Sequence, residues 1–400
     1  MRDVPDTPQK RATMRTIARS AAMIGMLLGC GLSIATIATS AAEPSEPSEP
    51  AEPKFEAVVS GRPLVFPQDM GAHPSFGTEW WYATGWLTTP DNKPLGFQIT
   101  FFRSATGHDS HDPGAFAPSQ LIFAHAALSD PATGHLQHDQ RIARQGFGLA
   151  YAKTGDTDLK LDTWTMKRHP DGRYTVDADA GRFRLALTFT PTQPVLLQGE
   201  RGYSQKGPLA AQASYYYSEP QLAVSGSVTR ETPGSDGAQH ARVDTAVTGK
   251  AWLDHEWSST LLSPDASGWD WLGANLDDGS ALMAFVVRSR QGGVIWSHAV
   301  LRDPRGQMQS FGPDKVGFTP IERWRSPHTG TTYPVGSSVR TGDDTWTLAP
   351  LMDDQELDSR GTSGAVYWEG AVRVSRAGQP VGHGYLELTG YDKPIGVRGK

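Results

Sequence analysis

From Phe55 onward, apolar and aromatic residues arrive in short bursts, and no long helical period is visible. Phe97-Gln98-Ile99-Thr100-Phe101-Phe102, Phe183-Arg184-Leu185-Ala186-Leu187-Thr188-Phe189 and Ala281-Leu282-Met283-Ala284-Phe285-Val286-Val287 are typical, and Gly, Pro, Asp and Asn separate them. Alternation with a period of two, bounded by turn residues, predicts strands. Their number and regular punctuation predict an all-β protein of the sandwich or barrel kind.

The pattern occurs twice. Leu121-Ile122-Phe123-Ala124-His125-Ala126-Ala127-Leu128-Ser129-Asp130-Pro131 matches Val294-Ile295-Trp296-Ser297-His298-Ala299-Val300-Leu301-Arg302-Asp303-Pro304. Glu79-Trp80 opens a strand, turn and strand that ends at Arg103, and Asp270-Trp271 opens a similar unit that ends at Arg288. Tyr217-Ser218-Glu219 resembles Tyr367-Trp368-Glu369, and Gly249-Lys250-Ala251-Trp252-Leu253-Asp254 resembles Gly382-His383-Gly384-Tyr385-Leu386-Glu387. Four matches in one order predict a duplicated β unit, each copy with strands enough to close a barrel and hide its edges. The domains expected are a first barrel over 66–258 and a second over 259–400.

The N-terminus has a different character. Lys10, Arg11, Arg15 and Arg19 precede an apolar run from Ala21 to Ala38, and Ser40-Ala41-Ala42 supplies small residues for cleavage, so 1–42 reads as a secretory signal. Leu27-Leu28-Gly29-Cys30 offers an alternative, a lipid anchor on Cys30, which is the only route to membrane contact. The Pro/Glu repeat that follows cannot bury apolar surface, and 43–65 is expected to be an extended tether. The expected location is therefore outside the cytoplasm, periplasmic or secreted.

Composition narrows the function. Among 400 residues there is one Cys, so no intramolecular disulfide and no Cys-rich zinc site exists. The chain carries 37 Lys and Arg against 43 Asp and Glu; loss of 1–42 removes five basic and two acidic groups and moves the net charge from −6 to −9. That balance offers no broad basic surface for nucleic acid. The twelve Trp are unusual, because each brings a large apolar ring and an N–H that needs a partner.

Positions that both copies share are most simply architecture: His125 and His298 read as buried, hydrogen-bonded histidines, and Glu79 and Asp270 as acceptors for Trp N–H groups. The copies differ at Asp254-His255-Glu256-Trp257, where the second has Glu387-Leu388-Thr389-Gly390. In a strand His255 and Trp257 share one face, and Asp254 and Glu256 the other. This acid/base cluster is either catalytic or a polar junction between the copies. Asp270, in Gly268-Trp269-Asp270-Trp271, is a further candidate acid, since carboxyls among indoles titrate high. Trp81, His125, Tyr216 and Trp269 are candidate ligand contacts. His108-Asp109-Ser110-His111-Asp112 has metal-like spacing but lacks a third element, and no metal or other cofactor is expected. Ser204 lacks a nucleophile elbow, and no phosphate-binding glycine pattern stands out.

At Glu79-Trp80-Trp81-Tyr82, Phe123-Ala124-His125-Ala126-Ala127, Tyr215-Tyr216-Tyr217-Ser218, Asp254-His255-Glu256-Trp257-Ser258 and Gly268-Trp269-Asp270-Trp271 the chain resembles the AttH-like and carotenoid 1,2-hydratase family of lipocalin-like proteins. The resemblance spans about 66–391. It implies two tandem calycin-type, lipocalin-like barrels, an apolar cavity and a lipophilic, isoprenoid-like ligand. It also implies either acid/base hydration or hydrolysis of that ligand, or service as a lipid-binding partner of an ABC transporter. His255 and Trp257 match the hydratase branch's His-x-Trp motif. The Tyr and Asp which that branch carries on the following strand are missing from Ser280 to Arg288, unless Asp254, Glu256 or Asp270 replaces the acid.

Overall fold

The computed structural model describes residues 55–107, 118–233 and 240–395. The expected leader with Cys30, the start of the tether and the His108 to Asp112 loop lie outside them. A first antiparallel sheet contains β1 (Thr78–Thr88), β2 (Pro94–Ala105), β3 (Gln120–Ser129), β4 (Gln137–Arg144), β5 (Ala150–Ala152), β6 (Asp158–Leu161), β7 (Trp164–Arg168), β8 (Tyr174–Asp179), β9 (Phe183–Thr190), β10 (Leu196–Leu197), β11 (Tyr203–Gln205), β12 (Ala213–Pro233) and β13 (His240–Ser258). A second contains β14 (Ala266–Leu276), β15 (Ala281–Ser289), β16 (Val294–Arg302), β17 (Met308–Phe311), β18 (Val316–Arg325), β19 (Thr332–Thr341), β20 (Asp344–Pro350), β21 (Glu356–Asp358), β22 (Val366–Arg376) and β23 (Gln379–Thr389).

The duplication is visible in the strand order. The first sheet runs β4-β3-β2-β1-β13-β12-β9-β8-β7-β6-β5 and the second β17-β16-β15-β14-β23-β22-β20-β19-β18. In each, the opening strand lies between its successor and the last strand of the unit. Both sheets curl toward closure: Arg141 of β4 bonds Asp162 and Thr163 beside β7, and Ser297 of β16 bonds the main chain of Val316 at the start of β18.

Register corrects one equivalence drawn from sequence. Trp80 lies opposite Glu256 and Phe102, and Trp269 lies opposite Thr389 and Val287. Trp80 is therefore level with Trp269, and Glu79 and Asp270 sit two positions apart. A slip of two keeps both acids on the inner face. Each still meets an arginine on the next strand, Glu79 with Arg103 at 2.7 Å and Asp270 with Arg288 at 3.1 Å.

The inner face of the first sheet is filled by its own side chains, among them Trp81, Phe97, Ile99, Phe101, Trp164 and Phe189. The opposite face of β1 and β13 packs on the second sheet through Tyr82, Trp252, Tyr216, Trp271, Phe285 and Tyr385. Residues 55–65, grouped above with the tether, are folded onto the first sheet: Val58 is buried, and the Val59 main chain exchanges two 3.0 Å bonds with the Tyr215 hydroxyl. Apolar Val58, Leu64 and Phe66 account for this, because they pack with Tyr203, Tyr217 and Trp257.

Candidate functional site

β13 carries the acid/base stretch, and its pleat sends alternate residues to different environments. His255 and Trp257 point into the end of the first sheet, each with no exposed surface, while Asp254 and Glu256 point to the junction with the second. The stretch that looks like one cluster in sequence is two sites.

The inner site is centred on Glu79 of β1. Its Oε1 accepts from His73 Nδ1 at 2.7 Å and from His255 Nε2 at 2.8 Å. Oε2 accepts from Arg103 Nε at 2.7 Å and from the His73 main-chain N–H at 2.9 Å. Glu79 thus takes imidazoles and a guanidinium, not the Trp N–H expected of it. Burial pushes its carboxyl up, but the bonds from His255 and His73 outweigh burial and hold it well below the usual range. Tyr217 donates to His255 Nδ1 at 3.1 Å, and burial moves His255 down to about 4, leaving a neutral imidazole. His73 is opposite in character. Burial lowers its pKa, yet bonds to Asp69 and Glu79 raise it overall, so both nitrogens donate. Aromatic rings fix the imidazole planes: His73 stacks on Trp257 at 3.7 Å and His255 on Trp81 at 4.4 Å. His73 is the member nearest solvent, 9% exposed, and a surface depression of about 580 Å³ opens over it and Asp69.

The junction site is built from carboxyls among aromatic rings. Asp254 accepts from Tyr216 at 2.7 Å, Ser218 at 2.5 Å and Trp252 Nε1 at 2.6 Å, and Tyr216 accepts in turn from Trp271 Nε1 at 3.1 Å. Burial drives the Asp254 carboxyl up to about 7 despite these bonds. Opposite it, Tyr82 donates to Glu369 at 3.0 Å, and Glu369 lies beside Glu387 across β22 and β23. Burial raises both acids, and mutual repulsion raises Glu369 further, so the pair holds a proton at neutral pH. Trp269 Nε1 donates to Glu387 at 3.1 Å. On the same face, Thr84 and Gln98 sit opposite one another, and Thr84 Oγ1, Gln98 Oε1 and Glu369 Oε1 are buried without a hydrogen-bond partner among the described residues. Such orphaned oxygens mark a place for water or a polar ligand group.

The remaining candidates divide between these two sites and other surroundings. Glu256 pairs with buried Lys206 at 3.1 Å, whose ammonium also lies over the Tyr216 and Phe285 rings. Asp270 is inside the second sheet with Arg288 and Tyr391, raised by burial to about 6, and joins neither site. His125 is buried as expected, but its partners Tyr367 and Thr362 come from the second unit, so it braces the contact between units. His298 is only partly buried. Trp81 serves the inner site, while Tyr216 and Trp269 serve the junction.

Sequence reasoning missed His73, Asp69, Arg103 and Tyr217 at the inner site. It also missed Tyr82, Glu369 and Glu387 at the junction. One signal was present: Asp254 and Glu387 occupy matching positions of the repeat, and they prove to be acids from the closing strand of each sheet. His73 gave no such sign, because it lies before the first repeated segment.

The AttH-like family profile matches residues 57–391. A crystal structure of an AttH-type protein from Nitrosomonas europaea is similar at a TM-score of 0.77 and 58% identity, covering 84% of this chain and 100% of that one. Kievitone hydratase of Nectria haematococca is similar at a TM-score of 0.63 and 15% identity, covering 86% of this chain and 97% of that one, a likeness of fold. No curated protein matches the chain.

Proposed function

This chain belongs to the AttH-like family and has a lipocalin-like fold of the hydratase type, and on that basis we propose that it is an exported protein that binds a lipophilic, unsaturated ligand at the junction of its two sheets and adds water to it. One observation carries the reading: Asp254, a carboxyl that holds its proton close to neutral pH, is flanked by the Trp252 and Trp271 indoles and the Tyr82 and Tyr216 phenols. The protonated acid transfers its proton to one carbon of a C=C bond, and the other carbon becomes cationic. Indole faces stabilise that charge. Water adds through oxygen and loses a proton to the carboxylate left on Asp254, which restores the acid. The Glu369 and Glu387 pair and the orphaned Thr84 and Gln98 oxygens support this reading, as acceptors and a donor for that water or for a polar end of the ligand. Export rests on the basic and apolar character of residues 1–42.

The test is native mass spectrometry of protein from its own cells, followed by turnover of the copurifying lipid and of isoprenoid alkenes, read as a gain of one water. Wild-type protein is expected to convert the ligand, and Asp254→Asn to retain it unconverted. Equal turnover by both, or a ligand that wild type holds and never converts, overturns the catalytic reading. The second outcome would leave a lipid carrier, such as a transporter partner.

A further inference from the structure

The inner site is a separate chemical unit, because Glu79 and His255 leave β1 and β13 on the face away from the junction. Three of its side chains, His73, Glu79 and His255, bring one donor atom each to within 4.8 Å of the others. They come from three parts of the chain: the loop before β1, β1 itself and β13. From this geometry we propose that His73 Nδ1, His255 Nε2 and Glu79 Oε1 form a site for one divalent transition ion of the zinc class.

The donor set suits such an ion. Two imidazoles and a carboxylate are the protein ligands of one type of catalytic zinc site, which keeps its fourth position for water or substrate. Both imidazoles aim at a single carboxylate oxygen, at 2.7 and 2.8 Å. Bonds of about 2.1 Å in a tetrahedral arrangement need ligand atoms about 3.4 Å apart, so Oε1 has to withdraw by about 0.7 Å. The two nitrogens, which lie within 4.8 Å of one another, have to close to the same separation, moving in the planes that the stacked rings of Trp257 and Trp81 keep.

Each proposed ligand also has the outer partner that metal sites require. Asp69 accepts from the far nitrogen of His73 at 3.1 Å, and Tyr217 faces the far nitrogen of His255 at 3.1 Å. Arg103 holds the other oxygen of Glu79, fixing the carboxylate with Oε1 toward the imidazoles. Arg103 also selects against weak binders, since a second cation beside it has to gain enough from the two nitrogens to offset the repulsion. That favours nitrogen-seeking ions over calcium or magnesium. The depression above His73 and Asp69 is the way in.

The experiment uses full-length protein freed of metal with a chelator, then titrated with Zn2+ by calorimetry and with Co2+ by visible absorption. One ion per chain is expected, with the intense visible bands of four-coordinate cobalt and a raised melting temperature. Asp69→Asn, which keeps all three ligands, is expected to weaken binding tenfold to a hundredfold. His73→Gln is expected to abolish the cobalt spectrum. Asp254→Asn is expected to leave metal binding unchanged, so that failure at the junction and failure here are told apart. The proposal is overturned if wild type takes up no stoichiometric Zn2+ or Co2+, or if folded Asp69→Asn and His73→Gln bind as wild type does. Should His73→Gln not fold, the wild-type spectrum and Asp69→Asn decide.

Discussion

Asp254→Asn perturbs the junction through a single proton. Its carboxyl moves from 3.8 to about 7 on burial. At about 1.4 kcal/mol for each tenfold change, this corresponds to about 4 kcal/mol. Because the folded protein binds the proton more tightly than the unfolded chain, the stabilising contribution is complete below pH 3.8 and is lost as the pH rises through about 7. Asn has no proton to lose, so the variant lacks that slope. It keeps one carbonyl oxygen for Ser218 and Trp252 but turns an amide toward Tyr216, a cost of about 1–2 kcal/mol that does not vary with pH. Between pH 5 and pH 9 the stability difference is thus expected to swing by about 3 kcal/mol toward the variant, which becomes the more stable protein at pH 9. Urea unfolding followed by Trp fluorescence at the two pH values measures it. Parallel pH dependences, within about 0.5 kcal/mol, would refute the assignment of a high-titrating acid at Asp254.

Other expectations concern packing and charge. Arg103→Met leaves Glu79 without its guanidinium at a fully buried position and is expected to cost about 3–5 kcal/mol in denaturant unfolding. Trp257→Ala removes the ring that stacks on His73 and packs with Tyr215, at a similar cost of about 3–5 kcal/mol; it should also perturb the His73 signals in NMR. Gly96→Leu tests the sheet junction, because even its Cβ would sit 2.6 Å from the Cβ of Ala371; a loss of about 1–3 kcal/mol is expected. Gly312→Ala, with open space around the position, should change stability by less than about 0.5 kcal/mol.

Much of the fold is legible in the residues. Alternating apolar stretches and the four repeated segments lead directly to an all-β, duplicated chain, because strand periodicity and turn chemistry are local properties. The same alternation assigns His255 and Trp257 to one face and Asp254 and Glu256 to the other, as the structure bears out. What local pattern cannot reach is register and partnership across distance. The equivalence of Glu79 with Asp270 was off by two positions because both registers bury the same face. The 55–65 segment looked like more of the tether because its few apolar residues become meaningful only against Tyr203, Tyr217 and Trp257. Most of all, Glu79 lies 6 residues from His73 and 176 from His255, and no spacing rule links the two distances. The sequence by itself determined which residues form strands and which way each side chain faces. Only the tertiary structure, by pairing β1 with β13 and laying one sheet on the other, decided which buried charges share an environment. That pairing made the acid of a supposed Trp cluster the centre of an imidazole site, and brought Glu369 of the second sheet to the Tyr82 hydroxyl of the first.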